Sequence, residues 1–132
     1  MTAQESPTIP FDFAAHERNA IAAYLPRRQF YEYLAGVIAR ILQECLTKRG
    51  IKVHSVQSRA KEPSSFGHKA AIPSEADPNR PKYANPLEEI TDLAGVRVIT
   101  HFPGTLADID QLICEEFEII EKSDEGRELL EA

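Results

Sequence analysis

The sequence predicts an α/β (α+β) protein in which helices and strands alternate, and three features carry that expectation. Apolar residues recur at helical spacing through Tyr31, Leu34, Ile38, Ile41 and Cys45. The segment Gly95–Phe102 alternates as a strand does, with Val96, Val98 and Thr100 facing one way and Arg97, Ile99 and His101 the other. Helical and strand patterns then follow one another along the chain, the order expected of helices layered on a sheet.

Residues 1–10 are polar with two prolines and read as a flexible N-terminal tail. Residues 11–132 then make one domain or part of one, since domains run to roughly 100–200 residues. A short helix is expected over Phe13–Tyr24 and a long one over about residues 27–48, where Val37, Leu42 and Leu46 widen the apolar stripe. Pro26 suits the first turn of that helix and Gly50 its C-terminal stop. Ile51–Ser58 is β-branched and partly alternating, a strand signal. Lys61–Ala71 starts a short helix with Pro63 in its first turn. Residues 72–86, with four prolines, Asn79 and Asn85, read as a loop. After the Gly95–Phe102 strand, Thr105 and Asp108 resemble a capping box opening a helix that buries Leu106, Ile109, Leu112, Ile113 and Phe117. Phe117–Glu121 is expected as a third short strand and Asp124–Ala132 as a polar helical end. Three strands make a thin sheet, so the fold is expected to be incomplete at the C-terminus.

Hydrophobic residues at 42% and charged residues at 27% are ordinary for a soluble globular protein. A net charge of -6 argues against non-specific coating of nucleic acid. The charge is uneven. Lys48 to Lys82 holds eight Lys/Arg against three Asp/Glu, whereas Asp108 to Ala132 holds ten acids against two bases. A cationic centre in an acidic protein suits a small polyanion, although a solvated face explains the charge alone as well. Cys45 and Cys114 lack metal-ligand spacing and are too few for a disulfide scaffold. With no signal-peptide pattern at the N-terminus and no apolar run near the roughly 18 residues of a membrane span, a reduced, cytoplasmic location is expected.

Two clusters have the residue types for chemistry. Arg59 and Lys61 are two apart and point the same way on extended backbone; Ser65 and Lys69 are four apart and share a helix face. Together they offer a guanidinium, two ammonium groups, a hydroxyl and a helix N-terminus to one polyanion. The same residues read equally as a solvated basic turn. The second cluster is Asp92, ahead of the Gly95 strand. A carboxylate at a strand edge can hold Mg²⁺ that bridges to substrate phosphates; a lone Asp also serves as a turn or helix cap. Glu88 and Glu89 either add ligands or act as ordinary first-turn acids. His54, His68 and His101 show no triad partners, and neither a G-x-x-x-x-G-K-[ST] loop nor a G-x-G-x-x-G turn is present.

At these clusters the sequence resembles a known family. Arg59-Ala-Lys61-Glu-Pro-Ser-Ser65-Phe-Gly-His-Lys69 is similar to the R-x-K-x-x-x-S-x-x-x-K motif of RelA/SpoT-type (p)ppGpp synthetases. Tyr83-Ala-Asn-Pro-Leu-Glu-Glu-Ile-Thr-Asp92-Leu-Ala-Gly-Val-Arg97-Val-Ile-Thr resembles the segment around that family's metal-binding aspartate. The likeness runs from about residue 28 to 121. It implies a nucleotidyltransferase-like mixed sheet flanked by helices, and transfer of the β,γ-pyrophosphate of ATP to the 3′-hydroxyl of GDP or GTP. By motif position Arg59 holds the adenine end of ATP, Lys61, Ser65 and Lys69 contact its phosphates, and Asp92 is the catalytic carboxylate that binds Mg²⁺. Arg97 either neutralises phosphate or serves a structural pairing.

The departures shape the expectation too. The family's guanine-stacking tyrosine and second catalytic carboxylate, set in an E-x-Q-I-R-T-like strand, have no counterpart after Phe117, so the chain is expected to lack the acceptor half. Pro63 and Gly67 stand where family members often carry better helix formers. No metal-dependent hydrolase domain precedes, which points to the small, stand-alone synthetase type. A toxic small synthetase acting on adenosine nucleotides or a tRNA 3′ end has the same ATP motifs. From a different class comes a non-catalytic regulatory fragment that forms a homo-oligomer or associates with a complete synthetase, since an unpaired edge strand invites pairing.

Overall fold

The apolar spacing that predicts two helices is realised as one: helix α1 runs unbroken over Phe13–Lys48 with Pro26 inside it. The computed structural model describes residues 9–122. Asp12 caps the start of α1, its Oδ1 accepting from the Ala15 amide at 2.9 Å. Pro26 has no N–H to offer the carbonyl one turn back. The helix nevertheless continues, because its inward-facing row continues on both sides of the proline. Ala20, Tyr24, Ala35, Leu42 and Leu46 are buried and Tyr31 half-buried, a row advancing by fours and sevens. Leu34 and Ile41, expected in the stripe, stay exposed, and Ala35 takes the inward position instead.

Gly50 ends α1 as expected. Its φ of 68° lies in the left-handed region, its amide donates to Thr47 O and the Ile51 amide to Leu46 O. These two bonds satisfy the helix's last carbonyls.

Strand β1 (Ser55–Ala60) pairs antiparallel with β2 (Ala94–Ile99). The His54 amide donates to Ile99 O at one end of the ladder, and the Lys61 amide to Leu93 O at the other. β1 lies further along the chain than the expected Ile51–Ser58, so Arg59 is inside the strand and not at its exit. Between the strands come α2 (Pro63–Ala70) and a helical turn, α3 (Pro86–Glu89), which starts at the last residue of the expected loop. Within the expected loop, 72–86, an isolated antiparallel bridge joins Pro73 to Pro81.

Helix α4 (Pro103–Glu116) follows β2. It starts two residues before Thr105, with Phe102 at its N-cap and no side-chain cap, so the expected capping box does not form. Ile109 and Leu112 are buried; Leu106, Ile113 and Phe117 are half-buried. Phe117–Glu121 is not a strand: Ile119 and Ile120 are exposed, and no described neighbour offers a ladder to pair with. The described residues thus form an α+β arrangement with a two-stranded sheet in place of three strands. The expected helical end at Asp124–Ala132, and most of the expected tail at 1–10, lie outside the described residues.

The chain divides into two compact units. One comprises the chain up to Ile38 together with Ser58–Val96; the other comprises Ala39–Gln57 together with the chain from Arg97 onward. The first unit packs Ala20, Tyr24, Phe66, Ala70, Ile90 and Leu93 into a core, with Tyr31, Tyr83 and Leu87 against it. Tyr24 stacks on Phe66 with ring centroids 4.6 Å apart. Each such buried ring contributes about 1.5–3 kcal/mol over leaving it exposed. His16 Nε2 donates to Tyr83 O at 2.8 Å, tying α1 to the segment before α3. In the second unit Arg49 bridges Glu115 at 2.7 Å and Glu116 at 2.9 Å, and the rings of His54 and His101 lie 4.5 Å apart. Cys45 and Cys114 are free thiols. Among the described residues, no helix is long and apolar enough to cross a membrane.

Candidate anion and metal site

The first unit holds the site, and α2 is its base. Pro63, with its fixed φ, opens the helix as the sequence predicts. Phe66, Gly67 and Ala70 are buried, so Ser65 and Lys69 are left on the open side. At Gly67, α2 lies close against α1. A methyl group there would lie 2.6 Å from Ile21 Cδ1 and 3.0 Å from Glu17 Cγ. The residue that looks like a poor helix former is therefore favoured by packing, since a larger one makes Ile21 shift.

Lys61 is held at both backbone polar groups. Its amide donates to Leu93 O at 2.8 Å, which brings it beside the residue preceding Leu93, Asp92. Its carbonyl accepts from the Tyr24 hydroxyl at 2.6 Å and from Arg28 Nε at 3.4 Å. Burial pushes the Tyr24 phenol above its ordinary value, with Arg28 acting in the opposite direction, so it is a proton donor across the neutral range. Arg28 also takes the Glu62 carboxylate at 3.1 Å. Glu62 sits at the N-cap of α2 but makes no side-chain cap. The amides of Ser64 and Ser65, ahead of the first intrahelical bond from Phe66 to Glu62 O, are thereby left without a side-chain cap.

Asp92 meets both lysines. Lys61 Nζ lies 2.9 Å from its Oδ2 and Lys69 Nζ 3.2 Å from its Oδ1. The Lys61 side chain is only 11% exposed, against 31% for Lys69 and 43% for Asp92. Burial pushes the Asp92 carboxyl up, but the hydrogen bonds and charges of Lys61 and Lys69 outweigh it and hold the group below its ordinary value. The three groups together carry a charge of about +1 near neutral pH.

Arg59 is exposed on β1 beside Arg28, Glu32 and Glu62 in a cleft. Its guanidinium passes over Gly95, 3.5 Å from where a side chain would begin. It makes no hydrogen bond or ion pair among the described residues, so the planar group is free to stack. Arg97, in the second unit, donates to Gln57 Oε1 at 2.9 Å across the strands. Glu89 accepts from the Asn85 amide at 3.2 Å and acts as a first-turn acid of α3. His68 is exposed, 3.9 Å from Glu17.

The structure therefore brings Lys61, Lys69 and Asp92 together, with Ser65 on the same face of α2 as Lys69. Asp92 suits Mg²⁺, which is commonly held by one or two carboxylates with phosphates and water filling the other positions. Among the described residues no group of three or more His, Cys, Asp or Glu could hold a metal without such help. Sequence reasoning missed Tyr24 and Arg28, which fix Lys61 and free the α2 N-terminus. Comparison with protein-family models, with curated proteins and with solved structures finds no match to this chain.

Proposed function

We propose that this chain carries the ATP–Mg²⁺ site of a RelA/SpoT-type pyrophosphokinase, a nucleotidyltransferase-like domain that transfers pyrophosphate from ATP to the 3′-hydroxyl of GDP or GTP. The observation that supports the reading is the convergence of Lys61 and Lys69 on Asp92, residues 31 and 23 positions from it. A merely solvated basic turn gives no reason for two lysines to flank one carboxylate beside an uncapped helix start.

The chemistry asked of such a site is mainly positioning and charge neutralisation. Lys61 and Lys69 supply point charges to the phosphates, Ser65 a hydroxyl, and the Ser64 and Ser65 amides further donors aligned with the helix dipole. Arg59 offers a flat cation to the adenine ring. Mg²⁺ held by Asp92 would neutralise charge on the pyrophosphoryl group being transferred, with AMP as the leaving group.

The test is to incubate the purified chain with labelled ATP, Mg²⁺ and GDP or GTP and separate the products. Pyrophosphorylated guanosine nucleotide supports the full reading. Mg²⁺-dependent ATP binding without product restricts it to the ATP site, and absence of both discards it.

A second reading, an interaction module, is favoured by the apolar residues α1 leaves in solvent: Phe30 is 61% and Tyr33 72% exposed. Self-association lost on changing both to Ser, with nucleotide binding absent, would select it.

A further inference from the structure

The carboxylate assigned to the metal is already occupied. Lys61 takes one oxygen of Asp92 and Lys69 the other, so a divalent cation approaching Asp92 meets two ammonium groups about 3 Å from the atoms it must ligate. Like charges at such distances repel even when solvent screens them. A polyphosphate meets the opposite situation: a cluster of net positive charge, two lysine side chains with rotatable stems and the uncapped amides at the start of α2. The Tyr24 and Leu93 bonds to Lys61 are made by its backbone, so its ammonium group takes part in neither of them and is held by Asp92.

We propose that Lys61 and Lys69 lock Asp92 against free divalent cations, and that the lock is released by a nucleoside triphosphate. The phosphates draw both ammonium groups off the carboxylate, and the freed oxygens then accept the cation. This inference rests on the ATP-site reading above and adds an order to it: polyanion first, cation with it or after it. It also gives Asp92 two opposing effects. Without metal the carboxylate competes with the phosphates for the same lysines and weakens nucleotide binding. With metal it strengthens binding. Such couplings between two ligands commonly amount to roughly 5–150-fold in affinity, and they are reciprocal.

The experiment measures two affinities on the full chain. Binding of a fluorescent ATP analogue is titrated in EDTA and again in Mg²⁺, for the wild type and Asp92→Asn. Binding of Mn²⁺ alone is followed by the loss of its free EPR signal, for the wild type and the Lys61→Met/Lys69→Met double variant. Asp92→Asn should tighten metal-free ATP binding about tenfold and weaken binding in Mg²⁺, and the double variant should bind Mn²⁺ alone about tenfold better than the wild type. Metal-free ATP binding that is unchanged or weaker in Asp92→Asn overturns the lock even if Mg²⁺-dependent binding is normal. Mn²⁺ alone binding the wild type as tightly as the double variant overturns it as well, independently of whether the Asn variant folds. No ATP binding under any condition instead removes the ATP-site reading, and with it the proposed key.

Discussion

Tyr24 donates its hydroxyl to the carbonyl oxygen of Lys61 at 2.6 Å, joining the buried row of α1 to the backbone of the residue that grips Asp92. The ring is fully buried and stacked on Phe66. Tyr24→Phe keeps the packing and removes only the donor, leaving Lys61 O with the longer bond from Arg28. The variant should lose about 1 kcal/mol of stability, a typical net value for one hydrogen bond. It should also bind Mg²⁺–ATP several-fold more weakly. Urea denaturation and nucleotide titration check the two effects separately, and unchanged affinity would show that Tyr24 supports the fold alone.

Asp92→Ala should abolish the Mg²⁺ dependence of ATP binding while the circular dichroism spectrum stays unchanged. Lys61→Ala should weaken ATP more than AMP, because its proposed partners are the outer phosphates. Equal losses for the two nucleotides would contradict that role.

The lowered pKa of Asp92 sets a pH window. A carboxylate held below its unfolded value, about 3.9 for aspartate, contributes stability above that pH and loses it as the pH falls through the folded value. The stability difference between the wild type and Asp92→Asn should therefore be constant near neutrality and shrink only below about pH 4. Denaturation curves at stepped pH read this directly. A difference that collapses between pH 6 and 8 would point to another group.

Gly67→Ala places a methyl group 2.8 Å from Ile21 Cγ1 and 2.6 Å from Ile21 Cδ1. Overpacking costs about 1–3 kcal/mol and a helical Gly→Ala change returns up to about 1 kcal/mol, so a net loss of about 1 kcal/mol is expected. Gly67→Val should lose more. A stabilised Ala variant would mean that Ile21 yields without strain.

Pro26→Ala should stabilise the protein by about 1–3 kcal/mol, because an interior helix position regains its amide hydrogen bond and sheds the ring clash. Pro26 is exposed, so no packing is lost with it. Thermal unfolding is the measurement; a lower Tm would assign the proline a role that the helix geometry does not reveal.

Local signals were read well from the sequence where one residue type satisfies one backbone need. Gly50 at a positive φ, Pro63 in the first turn of α2 and the alternation of Val96, Arg97 and Val98 are of this kind. Pro26 misled because tertiary burial on both sides of it outweighs its local penalty. Phe117–Glu121 misled because β-propensity cannot create a strand without a neighbour to pair with. For the site, helical and strand spacing placed Ser65 with Lys69 and set Asp92 at a strand edge. The ion pairs of Asp92 with Lys61 and Lys69, the Tyr24 hydroxyl on Lys61 O and the diversion of Glu62 to Arg28 link residues far apart in the chain, where periodicity carries no information.

That separation has a thermodynamic consequence. Tyr24 is 37 residues from Lys61, and Lys61 is 31 from Asp92, so folding is what brings the carboxylate and the Tyr24 hydroxyl to the lysine. A ligand that fills the proposed site and has no affinity for the denatured chain adds RT ln(1 + [L]/Kd) to stability, about 2.7 kcal/mol at a hundredfold excess over Kd. Occupancy of the proposed site and folding are then linked equilibria, and the melting temperature is expected to rise with ligand concentration.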